Sequence, residues 1–374
     1  MRATTEAHVV DYVREARESK RPFEIVGAGS KRKLGRTMDA AATLDVSGVA
    51  GIVDYQPEEL ILTAAPGTPV AEIEAALAEK GQRLGFDPPD WGPLLGAPAG
   101  LATIGGVLST DACGPARLRY GAGRDHLLGI RAVNGLGEAF KAGGRVVKNV
   151  TGFDIPKLFC GAYGTLGVLT EITLRVFPKP SLAVTLAMSG LAPQDGFALL
   201  RKIWSSPLEP TGLAYIPAGV LADLADAAVV RIEGEAGPLA EKRALLEKLH
   251  PGLVEIESGE VLFRSIGDGA LFSGHDADIW RASVQPAEAA RVISETDADF
   301  WVADWAGGLL WIAGDEAVRH EASRVGGHAM LIRADAATRA RVAVFTPQTP
   351  VLAQLTQAVK AAFDPLGLFN PGRL

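Results

Sequence analysis

Apolar residues in the first half of the chain come in short clusters instead of long stripes. The runs FEIVG (23–27), ATLDVS (42–47), GIVDY (51–55), LILTAAPG (60–67), GIRAVN (129–134) and GVLTEITLRVF (167–177) are bounded by glycine and proline, which predicts strands. Two segments depart from that pattern. In MRATTEAHVVDYVREARESK, Val9, Val10 and Val13 recur among charges, which predicts an amphipathic helix and lacks the continuous apolar core of a signal peptide. Thr68 and Pro69, followed by Val70, Ile73 and Leu77 and closed by Gly81, predict a second helix with Thr68 as cap and Pro69 at its first position. Many short strands with few helices argue for an α+β fold over a doubly wound parallel sheet.

From about residue 181 the pattern lengthens. Helical spacing is expected at 193–205, 236–250 and 350–363, with strand-like AAVVRIEG, DADIWRASV, DFWVADWAGGLLWIAG and HAMLIR between them. The WAGGLLW stretch predicts a hairpin; Trp301, Trp305 and Trp311 around it are read as core, with an interface strip as the alternative. Pro178 and Pro180 mark the change of pattern, so two domains are expected, 1–180 and 181–374, the second carrying an irregular tail, DPLGLFNPGRL.

Composition narrows the chemistry. A length of 374 residues is too much for one ordinary core, in keeping with two domains. The net charge of −7 disfavours nucleic acid and anionic lipid as partners. Cys113 and Cys160 form no CxxC pair and no metal-ligand spacing, which fits a reduced, cytoplasmic compartment and excludes an iron–sulfur cluster held by this chain. In such a compartment the glycosylation-like Asn149-Val150-Thr151 is accidental. No stretch reaches the roughly 18 apolar residues of a membrane span, so no direct membrane insertion is expected.

Glycine is concentrated: 19 of the 43 lie between Gly81 and Thr170, so backbone is being brought close to something there. The first loop, Gly27-Ala28-Gly29-Ser30-Lys31, follows a strand. It is no dinucleotide fingerprint, because the third glycine of GxGxxG is missing, and no P-loop; by itself it reads first as a tight turn with a solvated basic tail. Gly67 and Thr68 open a helix, where either a plain cap or an anion site would serve. Residues 96–106, which include Thr103, Ile104, Gly105 and Gly106, carry no charge and no large polar group, which permits close approach of a flat or phosphate-bearing ligand. A fourth cluster holds Arg124 and Asp125, read as an internal ion pair, then KNVTGFD at 148–154, then Gly164, Thr165, Gly167 and Val168.

In this order GAGSK (27–31), PGTPVAEIEAALAEKG (66–81), TIGGVLSTDACG (103–114), RYGAGRDHLLGIRAVNGLGE (119–138) and GGRVVKNVTGFDIPKLFCGAYGTLGVLTE (143–171) resemble the FAD-binding domain of the vanillyl-alcohol oxidase and p-cresol methylhydroxylase superfamily. RDHLLG, KNVTGFD, GTLGVLTE and the ending DPLGLFNPGRL are most similar to its family of smaller flavin subunits of bacterial glycolate oxidase. The resemblance implies a PCMH-type FAD-binding domain of two α+β subdomains followed by a smaller cap-like domain. It implies that Gly27, Ala28, Gly29, Ser30 and Lys31 wrap the FAD diphosphate with Thr103, Ile104, Gly105 and Gly106, and that Gly67 and Thr68 line the same channel. Gly164, Thr165, Gly167 and Val168 would approach the flavin or adenine end, with Arg124 and Asp125 bracing the loop between. Many relatives tether FAD through a histidine in the first loop; Ser30 stands at that place here, so dissociable, non-covalent FAD is expected.

The resemblance also implies partners: a larger FAD-containing catalytic subunit, an iron–sulfur subunit, and a small hydroxy-acid substrate. Any contact with the inner membrane would run through a partner. Relatives that oxidise 2-hydroxy acids carry a C-terminal GHxGDGN-like segment, of which this chain keeps only Gly326-Gly327-His328-Ala329-Met330. His250, His275 and His320 show no ligand spacing, and no metal is expected. Oxidation of a hydroxy acid needs a flavin, a base and a cation for the carboxylate, and only the flavin is argued by the residues. The expectation is therefore an electron-relay or assembly subunit, with catalysis by its own FAD, or a self-sufficient dehydrogenase of a sugar or other hydroxy acid, as alternatives.

Overall fold

The computed structural model describes residues 1–38, 40–145 and 152–373; Lys148, Asn149, Val150 and Thr151 of the KNVTGFD phrase lie outside them. The N-terminal pattern forms helix Glu6–Glu18, capped by Thr5, whose hydroxyl accepts from the His8 amide, and it buries Val9, Val13 and Ala16. Its first residue is tied to the sheet beyond: the Glu6 carboxylate accepts from Arg131 Nε at 3.0 Å and Nη2 at 2.5 Å, and from the Thr170 hydroxyl at 2.6 Å.

The chain divides into two compact units, one of Met1–Cys113, Gly121–Lys179 and the segment from Pro347 onward, the other of Gly114–Tyr120 and Pro180–Thr346. In the first unit, strands Glu24–Val26 and Thr43–Asp45 pair in parallel. A separate antiparallel sheet has the order Ile52–Gln56, Ile61–Ala64, Val168–Arg175, Leu127–Val133, Ala139–Gly143. Its middle strand, Val168–Arg175, is buried along nearly its whole length, with Val168, Ile172 and Leu174 on one face and the more polar Glu171, Thr173 and Arg175 on the other. The second unit is built on one eight-stranded antiparallel sheet. The expected hairpin is present as Phe300–Asp304 against Leu309–Ala313, and Trp301, Trp305 and Trp311 are core, at most 7% exposed.

Three expectations of local structure need correction. Helix Val70–Ala78 has Pro69, not Thr68, at its cap position, because the Thr68 hydroxyl is spent on the carbonyls of Ala65 (2.7 Å) and Gly51 (3.1 Å) and receives the Gly51 amide. The stretch 96–106 is not all loop: its end enters helix Ile104–Thr110, with Thr103 as N-cap accepting from the Gly106 amide. The tail does not join the second unit. Phe369, fully buried, meets Phe23 edge-to-face at 5.5 Å, and Phe363 meets Phe159 at 5.3 Å, so apolar burial draws the segment from Pro347 back onto the first unit. Strands Leu182–Met188 and Gly212–Ile216 were hidden in the sequence, the first by its helix-forming Leu and Ala, the second because burial of all five residues erases alternation.

Candidate functional site

An open cleft indents the first unit. One wall is the turn after strand Glu24–Val26: Gly27, Ala28, Gly29, Ser30, Lys31 and Arg32. Gly29 has φ +78° and a Cβ there would meet only Val26 at 3.8 Å, so the turn faces open space with bare backbone. Gly27 is held against the opposite wall, its Cβ position 2.8 Å from Thr103 Oγ1. That wall comprises Thr103, Gly105, Gly106, Ser109 and Thr110, continued by Tyr163, Gly164, Gly167, Val168 and Leu169.

Electrostatically the cleft is graded. Lys31, Arg32 and Arg373 stand at one end, and the Glu24 carboxylate takes up Arg32 at 2.6 and 3.1 Å. Along the remaining wall the groups are hydroxyls, backbone and apolar side chains.

Of the residues expected to act together, Gly27, Ala28, Gly29, Ser30, Lys31, Thr103, Gly105, Gly106, Gly164, Gly167 and Val168 line this one cleft. The others lie behind or beside it. Gly67 is pressed on its own chain, with the carbonyls of Val46, Val49 and Ser47 at 2.6, 2.8 and 2.9 Å from its Cβ position. Thr68 and Ile104 are fully buried supports, and Thr165 turns its hydroxyl to the Ala162 carbonyl at 2.7 Å. Arg124 and Asp125 do not form the expected ion pair: the Asp125 carboxylate accepts from the Ala122 amide at 2.9 Å, while the Arg124 amide donates to Asp111.

Cleft residues that sequence reasoning missed include Ser109, Thr110, Tyr163, Asn370 and Arg373. For Asn370 a turn signal existed, though not a site signal: Asn-Pro-Gly places an asparagine, the residue most tolerant of left-handed backbone after glycine, at a turn, and Asn370 has φ +44°.

Residues 1–143 match the family model of an FAD binding domain. Over 369 residues the chain is 34% identical to the glycolate oxidase subunit GlcE of Escherichia coli (strain K12), covering 98% of this chain and 96% of that protein. The chain belongs to the GlcE family of FAD-binding glycolate oxidase subunits. A shorter match, 34% identity over 135 residues, links it to glycolate oxidase subunit GlcD of Bacillus subtilis (strain 168), covering 36% of this chain and 27% of that protein. Among solved structures, p-cresol methylhydroxylase with substrate bound shares the fold at a TM-score of 0.72 and 16% identity, covering 100% of this chain and 88% of that one.

FAD is accordingly the cofactor of this family member, an FAD-dependent oxidoreductase chain, and the cleft fits it on its own terms. Bare backbone at Gly29 lets a ligand approach closely, and Lys31 with Arg373 brings positive charge to the lining, of the sign a diphosphate attracts. Neither cysteine is placed for tethering: Cys113 and Cys160 are buried and outside the cleft lining, and burial beside Asp111 pushes the Cys160 thiol far up, so it stays protonated.

The second unit holds a cationic and aromatic cluster of a different kind. Arg117 lies 4.5 Å and Arg281 4.9 Å from the Trp305 ring centre, and Arg281 is 5.7 Å from that of Trp311. His328, in the Gly-Gly-His stretch that stands where relatives carry a fuller histidine segment, titrates below its ordinary range, chiefly through desolvation and secondarily through Arg281 and Arg117. Among the described residues no group of three or more His, Cys, Asp or Glu is arranged to hold a metal ion, and no helix is long and apolar enough to cross a membrane.

Proposed function

We propose that this chain is the smaller FAD-carrying subunit of a complex that oxidises glycolate, or a closely similar 2-hydroxy acid, to the 2-oxo acid, and that its part is electron relay or assembly. The observation that carries this reading is the match to a glycolate oxidase subunit along 98% of the chain, joined to a cleft that is built for a cofactor and offers no proton acceptor of the usual kind. Among the described residues lining the cleft there is no histidine, and the carboxylate there, Glu24, is engaged by Arg32. Bound FAD supplies two-electron redox chemistry. The chain's own residues would hold it: the backbone from Gly27 to Ser30 with Lys31 on one wall, and Thr103, Gly106, Gly164, Gly167 and Val168 on the other. The larger flavin subunit would then remove the substrate's electrons, and an iron–sulfur subunit would receive them, since two cysteines 47 positions apart cannot ligate a cluster.

FAD is held without a covalent bond in this reading, because among the described residues no histidine or cysteine side chain lines the cleft. The test uses the purified chain. It should show a flavin spectrum that anaerobic glycolate leaves unchanged, and acid precipitation should leave the yellow colour in the supernatant. Bleaching by glycolate in the absence of partners would overturn the relay role, and a yellow pellet would overturn dissociable attachment.

A further inference from the structure

The tail reaches the cleft along a chain of specific bonds. The Asp364 carboxylate, fully buried, accepts from the amides of Leu368 and Phe369 at 2.9 Å each and from Lys360 Nζ at 3.1 Å. Lys360 Nζ in turn donates to the Thr165 carbonyl at 2.9 Å, so the turn before Asn370 is anchored to the loop that carries Gly164.

Asn370 then bridges two walls of the cleft with one side chain. Its Oδ1 accepts from the Ile25 amide at 2.7 Å, and its Nδ2 donates to the Tyr163 carbonyl at 2.8 Å. The fit is close: a Cβ at Gly164, where φ is +67°, would stand 2.7 Å from Asn370 Nδ2. Three residues later Arg373 donates Nη1 to the Arg32 carbonyl and Nη2 to the Lys31 carbonyl, both at 3.2 Å, and its stem packs over Gly35, whose Cβ position lies 3.2 Å from Arg373 Cδ. Asn370 and Arg373 both line the cleft.

We propose that the C-terminal segment is a working part of the cofactor site, in which Asn370 sets the spacing between the loops around Ile25 and Tyr163, and Arg373 joins Lys31 in binding the diphosphate of FAD. The assignment rests on the FAD reading of the cleft. The diphosphate carries the negative charge of FAD, and among the described residues the positive side chains lining the cleft are Lys31, Arg32 and Arg373. A planar guanidinium fixed by two carbonyls loses little freedom on meeting a phosphate, which suits Arg373 to this task better than a mobile lysine.

The test compares full-length wild type with Arg373→Ala, Arg373→Lys and Asn370→Ala, after confirming equal thermal midpoints of the flavin-free proteins for the two Arg373 variants. FAD and riboflavin, which lacks the phosphates, are titrated by flavin fluorescence at several salt concentrations. Arg373→Ala should weaken FAD about tenfold or more and Arg373→Lys less, as expected for a charge-assisted hydrogen bond. Riboflavin affinity should stay within twofold of wild type, and the salt dependence of FAD binding should become shallower in Arg373→Ala. Asn370→Ala should weaken both flavins, because it acts through the loops. Unchanged FAD affinity and salt dependence in Arg373→Ala would overturn the role of Arg373, as would an equal loss for riboflavin. Unchanged affinity for both flavins in Asn370→Ala would overturn the spacing role. Failure of the wild type to bind FAD would instead overturn the functional reading on which the assignment stands.

Discussion

The cleft of the first unit and the eight-stranded sheet of the second solve opposite problems with one chain. Around the cleft, side chains are left out: Gly27, Gly29, Gly105, Gly106, Gly164 and Gly167 make walls of backbone. In the second unit, side chains fill everything. Tyr215 stacks on Trp301 at 5.4 Å with an interplanar angle of 6°, Phe197 packs beside both, and Trp280 is fully buried with its indole N–H donating to the Gly314 carbonyl at 3.0 Å. A site for a large ligand and a well-filled core compete for the same interior, and here they are kept in separate units. Every residue lining the cleft belongs to the first.

The sharpest break of that contrast is a large cavity in the filled unit. Trp280→Ala should cost about 3–5 kcal/mol of stability, read as a fall in thermal midpoint, while FAD affinity of the folded protein stays within twofold. A parallel loss of FAD affinity would show that the division of labour is false. Gly67→Ala should cost about 1–3 kcal/mol, because the new methyl would meet three backbone carbonyls under 3.0 Å, none of which can rotate away. Gly29→Ala divides stability from binding the other way. Its left-handed backbone costs about 1–2 kcal/mol with an L side chain, its surroundings are open, and the methyl points to where the ligand would sit, so FAD affinity should fall more than Gly67→Ala makes it fall. Isothermal titration of both variants checks the order. Thr103→Ala removes the cap of helix Ile104–Thr110 and should cost about 1 kcal/mol.

Much of the first unit was legible because glycine and proline punctuate it. All six strand-like runs before residue 180 became strands, and the amphipathic N-terminal helix formed where Val9 and Val13 recur. Eleven of the residues expected to touch the cofactor share one cleft, since a glycine exposed to a ligand and a glycine in a strand-to-loop turn leave the same trace in sequence. That is also why Gly67 misled: its lack of a side chain serves the chain's own carbonyls, and no local pattern separates the two uses. The cleft roles of Asn370 and Arg373 were illegible for another reason, a separation of about 340 residues from their partners, which the packing of Phe369 on Phe23 and of Phe363 on Phe159 closes. In the second unit, Leu182–Met188 reads as helix by composition, and its pairing with Ala227–Gly234 overrides that preference.

The smallest expected effect lies at the edge of the first unit, and it depends on pH. Hydrogen bonds from Arg131, opposed by desolvation and reinforced by Thr170, hold the Glu6 carboxyl below its ordinary range. A carboxyl whose folded-state value is lowered gives stability that is fully present above its unfolded value, near 4.3, and is lost as pH falls through the lower folded value. The pair is partly open, with Arg131 and Glu6 side chains 38% and 28% exposed, so solvent screening limits it to roughly 1 kcal/mol. Glu6→Gln should therefore lower stability by about that amount at pH 7 and by progressively less below pH 4, where wild type and variant converge. Urea unfolding of both proteins across that range measures it. A gap that persists unchanged to pH 3 would mean that Glu6 acts by packing the helix on the sheet, and that its charge does nothing for the unit that carries the cleft.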